Sequence, residues 1–177
     1  TTFADLRALQ TLNISNNMVQ SIPPLNVITT LDNLNVSGNR LQFGDLELNL
    51  GVTNFDYSAQ ALISAAKDTL IENGTSPNLA VMNSGLNNSY EWFKDGSSVS
   101  TDEVLPIAGI DFDDEGVYRL DITNSLVTGL TLSSGDINVR VSSLERDTKA
   151  LQKIFEDGGG TLPANWSTTD GDIVDNT

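Results

Sequence analysis

Apolar side chains recur at a fixed interval near the start of the chain. Leu9, Leu12, Ile14 and Val19 are matched twenty-two residues later by Leu31, Leu34, Val36 and Leu41, and Asn17 is matched by Asn39. Both stretches read L-x-x-L-x-(I/V)-x-x-N-x-(V/L). The alternation at the centre predicts a short strand whose apolar residues point inward. The Asn then turns the chain, its amide bonding backbone groups that the turn leaves unpaired. Two unrelated amphipathic strands would not need both Asn residues in register. A further step of twenty-two from Leu31 reaches Thr53, where the pattern is not continued. Phe43, Leu46, Leu48, Leu50 and Phe55 form a last apolar edge instead, so residues 42–58 are read as a terminal turn covering the end of the array. Only Phe3 and Leu6 precede the first copy, and further copies are expected upstream.

From residue 59 short alternating segments predict strands: Ala61-Leu62-Ile63, Leu79-Ala80-Val81, Tyr90–Phe93, Val104–Ile107, Val117–Leu120, and Leu130–Leu132 running on to Ile137–Val141. Asn73-Gly74, Asn83-Ser84-Gly85, Asp95-Gly96, Asp113–Gly116 and Ser134-Gly135 separate them as turns. Strands with polar turns and no intervening helices indicate an antiparallel sandwich. Beyond it, Leu144, Leu151, Ile154 and Phe155 share one helical face, with Ser142–Glu145 as a capping box or Asp147 as N-cap. Asp157-Gly158-Gly159-Gly160 stops that helix. The tail Ser167–Thr177 is polar and acidic, with little to order it.

The first pattern resembles the leucine-rich repeat, whose period is about 20–29 residues. In the second segment, Trp92 on an alternating strand and the spacing D-x-G-x-Y at Asp114, Gly116 and Tyr118 resemble an immunoglobulin-like domain, where that Tyr makes a tyrosine corner. The resemblance places the usual cysteine pair at Val81 and Leu120, so aliphatic packing against Trp92 replaces a cross-link. Asp147–Leu151 together with Leu162–Trp166 is similar to the N-terminal cap of a second repeat array; the alternative is an ordinary helix docking on the sandwich. The expected fold is therefore mainly β: a leucine-rich repeat solenoid end at 1–58, an immunoglobulin-like antiparallel β-sandwich at 59–142, and a C-terminal helix and tail at 143–177. This order resembles modular bacterial surface or secreted proteins, which implies an extracellular or cell-surface location.

Composition narrows the chemistry. A net charge of −15, with nine basic residues against twenty-four acids, disfavours nucleic acid, whose phosphates need clustered Lys and Arg. No apolar run approaches the ~18–20 residues of a membrane span. The chain has neither Cys nor His, which removes disulfides, thiolate metal sites and His-dependent nucleophilic mechanisms. The densest carboxylate group, Asp111, Asp113, Asp114 and Glu115, is either a calcium loop or a solvated corner before the Tyr118 strand. No cofactor or metal is expected.

The candidate binding residues are the outward positions of the two repeats, Thr11, Asn13 and Ser15 on one rung and Asn33, Asn35 and Ser37 on the next. They make either a polar recognition ladder or a merely solvated strand face. Leu126 and Val127, in the loop Thr123–Gly129, are either exposed or packed against the neighbouring module. These residues point to a non-catalytic recognition or adhesion module for a protein or glycan. The alternative is an accessory or spacer region of a larger secreted hydrolase.

Overall fold

The computed structural model describes residues 5–142 and, after them, positions 150, 153–154, 157–159, 166–169 and 172–175. Three short strands, β1 (Thr11–Asn13), β2 (Asn33–Asn35) and β3 (Asn54–Asp56), form a parallel sheet in that order. Thr11, Leu12 and Asn13 lie opposite Asn33, Leu34 and Asn35. Those in turn lie opposite Asn54, Phe55 and Asp56. The pattern expected to stop before residue 42 thus runs on into a third rung.

That rung falls inside the 42–58 segment assigned to a terminal turn, and the correction has a clear physical basis. The rung is offset by twenty-one residues rather than twenty-two, and Gln60 stands where Asn was expected. Asn39 donates its amide to the carbonyls of Ile14 and Val36 and accepts from the Val19 N–H. Gln60 repeats the set one rung on, donating to the Val36 and Tyr57 carbonyls and accepting from the Leu41 N–H. Asn17, Asn39 and Gln60 each follow the first residue of their strand by six, so the missing residue falls between the second turn and β3. The three turns also share a left-handed residue, Asn16, Gly38 and Ala59, with φ of 55°, 65° and 54°. Asn and Gly tolerate this region, whereas Ala does so at a cost.

Between the second and third rungs, helix α1 (Phe43–Glu47) buries Phe43 and Leu46 completely. Leu48 and Leu50, expected on the same apolar edge, are instead 53% and 36% exposed. They follow the helix and point away from the core. Buried Asn49 accepts from the Leu25 N–H at 2.6 Å, and Asp45 accepts from the Ser21 hydroxyl and the Ile22 N–H. These bonds tie the helix to the preceding extended segment. Leu25, Ile28, Leu34, Val36 and Leu41 fill the core, while Leu9, Leu12, Ile14 and Val19 on the first rung are only partly covered.

The second unit begins at β4 (Lys67–Glu72); the expected strand at Ala61–Ile63 is an extended connection instead. β5 (Asn78–Leu79) pairs with β8 (Leu105–Pro106), separately from a larger sheet. That sheet contains β4, β6 (Asn88–Lys94), β7 (Ser97–Ser100), β9 (Gly116–Asn124), β10 (Thr131–Ser133) and β11 (Ile137–Ser142). Its order is β4-β11-β9-β6-β7, with β10 also on β9 and β4 running parallel to β11. This is an immunoglobulin-like arrangement. Trp92 and Leu120 are cross-strand neighbours, both fully buried, and Val81 is buried in the same core. The Tyr118 hydroxyl donates to the Asp114 carbonyl at 2.8 Å, which makes the expected tyrosine corner.

Gly135 has no room for a side chain, because a Cβ there would lie 2.4 Å from the Ala66 nitrogen. The connection before β4 therefore packs directly on the break between β10 and β11. In the C-terminal segment Ala150, Lys153, Ile154 and Asp157 are helical, the Gly158 N–H donates to the Ile154 carbonyl, and Ile154 is 67% exposed. Leu144, Leu151, Phe155 and the expected repeat-cap residues 147–149 and 162–165 lie outside the described residues. Within the tail, β12 (Trp166–Thr169) and β13 (Asp172–Asp175) pair antiparallel, where the composition predicts no element.

The Trp92 indole carries the sandwich core without a disulfide to hold the sheets. Trp92→Ala is expected to cost about 3–5 kcal/mol, read as a lowered denaturation midpoint at an unchanged denaturant slope.

Candidate functional site

Rung geometry arranges the candidate polar residues into rows. Strand register aligns Thr11, Asn33 and Asn54 in one row and Asn13, Asn35 and Asp56 in another. Adjacent rungs of a sheet are about 4.8 Å apart. Together the three rungs line a shallow groove of about 390 Å³. Thr11, Asn13, Asn33 and Asn35 therefore come together on one face. Ser15 and Ser37 do not line the groove; they belong to the turns that follow the strands. The Ser15 N–H donates to Asn13 Oδ1 at 2.9 Å. Both the Ser37 N–H and its hydroxyl donate to Asn35 Oδ1.

Asn54 and Asp56 extend this face and were missed from sequence. Asp56 Oδ1 accepts from the Ser58 N–H and hydroxyl at 3.1 and 2.7 Å, the same arrangement as on the second rung. Asn54 donates to Asn33 Oδ1 at 3.1 Å. The signal that locates them is N-x-S at Asn13–Ser15 and Asn35–Ser37, continued as D-x-S at Asp56–Ser58. The third rung is thus legible once Asp is allowed for Asn.

A second concavity, about 560 Å³, lies between the first unit and the connecting segment, with Gln20, Arg40, Gln42 and residues 61–65 around it. Nothing in the sequence pattern singled it out. The acidic group before β9 is occupied by local bonding: Asp111 accepts from the Asp113 N–H, and Asp114 accepts from the Asp111 N–H. Glu115 reaches the Val141 N–H. These carboxylates cap a 3-10 turn at Phe112–Asp114 and pin it to β11. Burial, then the charges of Asp114 and Asp95, push the neighbouring Tyr118 phenol up to about 12.

The two units are joined through Glu47, at the end of α1. Its carboxylate accepts from Asn124 Nδ2 at 2.5 Å and from the backbone N–H groups of Leu86 and Asn87 at 3.1 and 3.2 Å. Asn124 is itself buried and caps its own loop, accepting from the Leu126 and Val127 N–H groups. Val127 is buried, whereas Leu126 is 53% exposed. The Tyr57 hydroxyl donates to the Thr128 carbonyl and completes the contact.

No protein-family profile matches the sequence, and no curated protein sequence matches it significantly. Solved structures do match part of it. Extracellular domains 3–5 of Drosophila OTK match at 15% identity over 42% of this chain and 32% of that one, with a TM-score of 0.37. Sidekick-1 immunoglobulin domains 1–5 match at 20% identity over 48% of this chain and 19% of that one, with a TM-score of 0.40. The immunoglobulin-like domain of mouse leukocyte-associated immunoglobulin-like receptor 1 matches at 18% identity over 43% of this chain and 88% of that one, with a TM-score of 0.37. The chain spans about a third or less of the length of the first two. Among the described residues, no helix is long and apolar enough to cross a membrane.

Partial burial opposes ionisation of Glu47, but the hydrogen bonds from Asn124, Leu86 and Asn87 outweigh it and hold the carboxyl below its ordinary value of 4.5. A lowered folded value means that the stabilisation is present above the ordinary value and is lost as pH falls through the folded one. Glu47→Gln is expected to cost about 1 kcal/mol at neutral pH, discounted for solvent screening. The variant should also lose part of the acid sensitivity seen in the parent. Denaturant titrations of both chains at neutral pH and below pH ~4 check this.

Proposed function

We propose that this chain is a non-catalytic extracellular recognition module, in which a leucine-rich repeat end at residues 1–58 presents the binding face. An immunoglobulin-like sandwich at residues 59–142 supports it, and residues 143–177 form a C-terminal helix and tail. The observation that carries the reading is the in-register polar face formed by Thr11, Asn13, Asn33, Asn35, Asn54 and Asp56. At the end of each strand Asn or Asp uses Oδ1 to bond the following turn and leaves its second side-chain atom for a partner. The repeat assignment rests on three aligned strands followed by matching Asn17, Asn39 and Gln60 turns. The immunoglobulin-like fold of the second unit is compatible with adhesion or recognition outside the cell.

Charge supports the choice of partner. An acidic chain repels phosphate backbones and anionic lipid surfaces, which leaves proteins and glycans. The modular order resembles that of bacterial surface or secreted proteins, the origin we propose. The second reading, an accessory or spacer region of a larger secreted hydrolase, draws on the Glu47 junction, which fixes one unit against the other as a spacer requires.

Substituting Asn13, Asn33 and Asn35 together with Ala is expected to abolish partner capture. The triple variant loses the Oδ1 acceptors of the Ser15 and Ser37 N–H groups, so a wild-type near-ultraviolet circular dichroism spectrum is required of it before binding is compared. Titration of wild type and variant against surface proteins and glycans tests the proposal; equal binding by both would place recognition elsewhere.

A further inference from the structure

The ladder is not chemically uniform along its length. A serine N–H can only donate, so the one following each strand fixes which atom of the strand's last side chain it meets. Asn13 and Asn35 turn Oδ1 toward Ser15 and Ser37, which leaves each Nδ2 as a donor facing outward. Asp56 turns Oδ1 toward Ser58 in the same way, but its second atom is a carboxylate oxygen that only accepts. Among the described residues, none of these three outward atoms has a hydrogen-bond partner. The row therefore reads donor, donor, acceptor from first rung to third, with neighbours about 4.8 Å apart.

Size limits what this row can hold. A specific protein interface takes roughly 800 Å² from each partner, more than three three-residue strands provide. Protein hot spots are also built on Trp, Tyr and Arg, and the outward positions here are Thr, Asn and Asp. A groove of about 390 Å³ lies at the small end of the range for small-ligand sites. Sugar hydroxyls each donate and accept, so two adjacent hydroxyls can satisfy a donor and an acceptor at once. A net charge of −15 favours a sugar without acidic groups.

We infer that the Asn13–Asn35–Asp56 row is a binding site for a neutral sugar, with one hydroxyl accepting from Asn35 Nδ2 and its neighbour donating to Asp56 Oδ2. This rests on the proposal that the rung face is the recognition surface and adds the ligand class. It also provides an isosteric test. Asn and Asp make the same Oδ1 bond to the following serine, as rungs two and three demonstrate, so exchanging them leaves the turn intact. Asp56→Asn turns the acceptor into a donor, and Asn35→Asp does the reverse.

The test is nuclear magnetic resonance of the nitrogen-15-labelled full chain, titrated separately with cellotetraose, mannotetraose and tetraglycine. At least one sugar is expected to shift the side-chain amide signals of Asn13 and Asn35, and the Asp56→Asn and Asn35→Asp chains should bind it about tenfold more weakly with backbone spectra unchanged. Three outcomes overturn the inference. If tetraglycine alone shifts those amides, the face recognises peptide, and only the sugar assignment fails. If a sugar binds but neither exchange weakens it, the face stands as a recognition surface and the donor–acceptor row is not what reads it. If none of the three probes moves the ladder amides, both the sugar class and the proposed face fall.

Discussion

Side-chain amides that stand in for missing backbone partners hold the first unit together. A three-residue strand makes few ladder bonds, and the turn after it strands N–H and C=O groups that cost free energy if buried unpaired. Asn39 serves two rungs at once, because its amide reaches the Ile14 carbonyl of the rung before and the Val36 carbonyl of its own. Gln60 does the same for Val36 and Tyr57. Without these groups the apolar core of Leu34, Val36 and Leu41 would still favour collapse, but nothing would fix the register that lines up Asn13, Asn35 and Asp56.

Much of the architecture was legible because it depends on repetition and alternation. Asn17 and Asn39 announce the rungs, and Trp92 with Tyr118 announces the sandwich. The third rung was hidden by two changes, a spacing between rungs shortened by one residue and a Gln in place of the turn Asn. A fixed-period reading rejects both, while hydrogen-bond geometry accepts them together. Asn54 and Asp56 were missed for the same reason. The strand at Lys67–Glu72 was missed because its side chains are mostly exposed, so it lacks an apolar signature; its place is set by backbone pairing with Ile137–Ser142.

The junction lay beyond sequence reasoning altogether. Glu47 meets Leu86, Asn87 and Asn124 across separations of 39, 40 and 77 residues, and no local pattern relates those positions. A single carboxylate answers two exposed N–H groups of one loop and the amide that caps another. The contact thereby helps to set how a rung array meets a sandwich.

The parallel pairing of β4 with β11 has a mechanical consequence. β4 enters the sandwich and β11 leaves it, and their six residue pairs run in the same direction. Tension applied between the entering and leaving ends therefore pulls the two strands along each other, loading the bonds between them in shear rather than opening them one at a time. A sandwich joined into a longer chain in this way transmits force through its two terminal strands before any of its inner strands is disturbed.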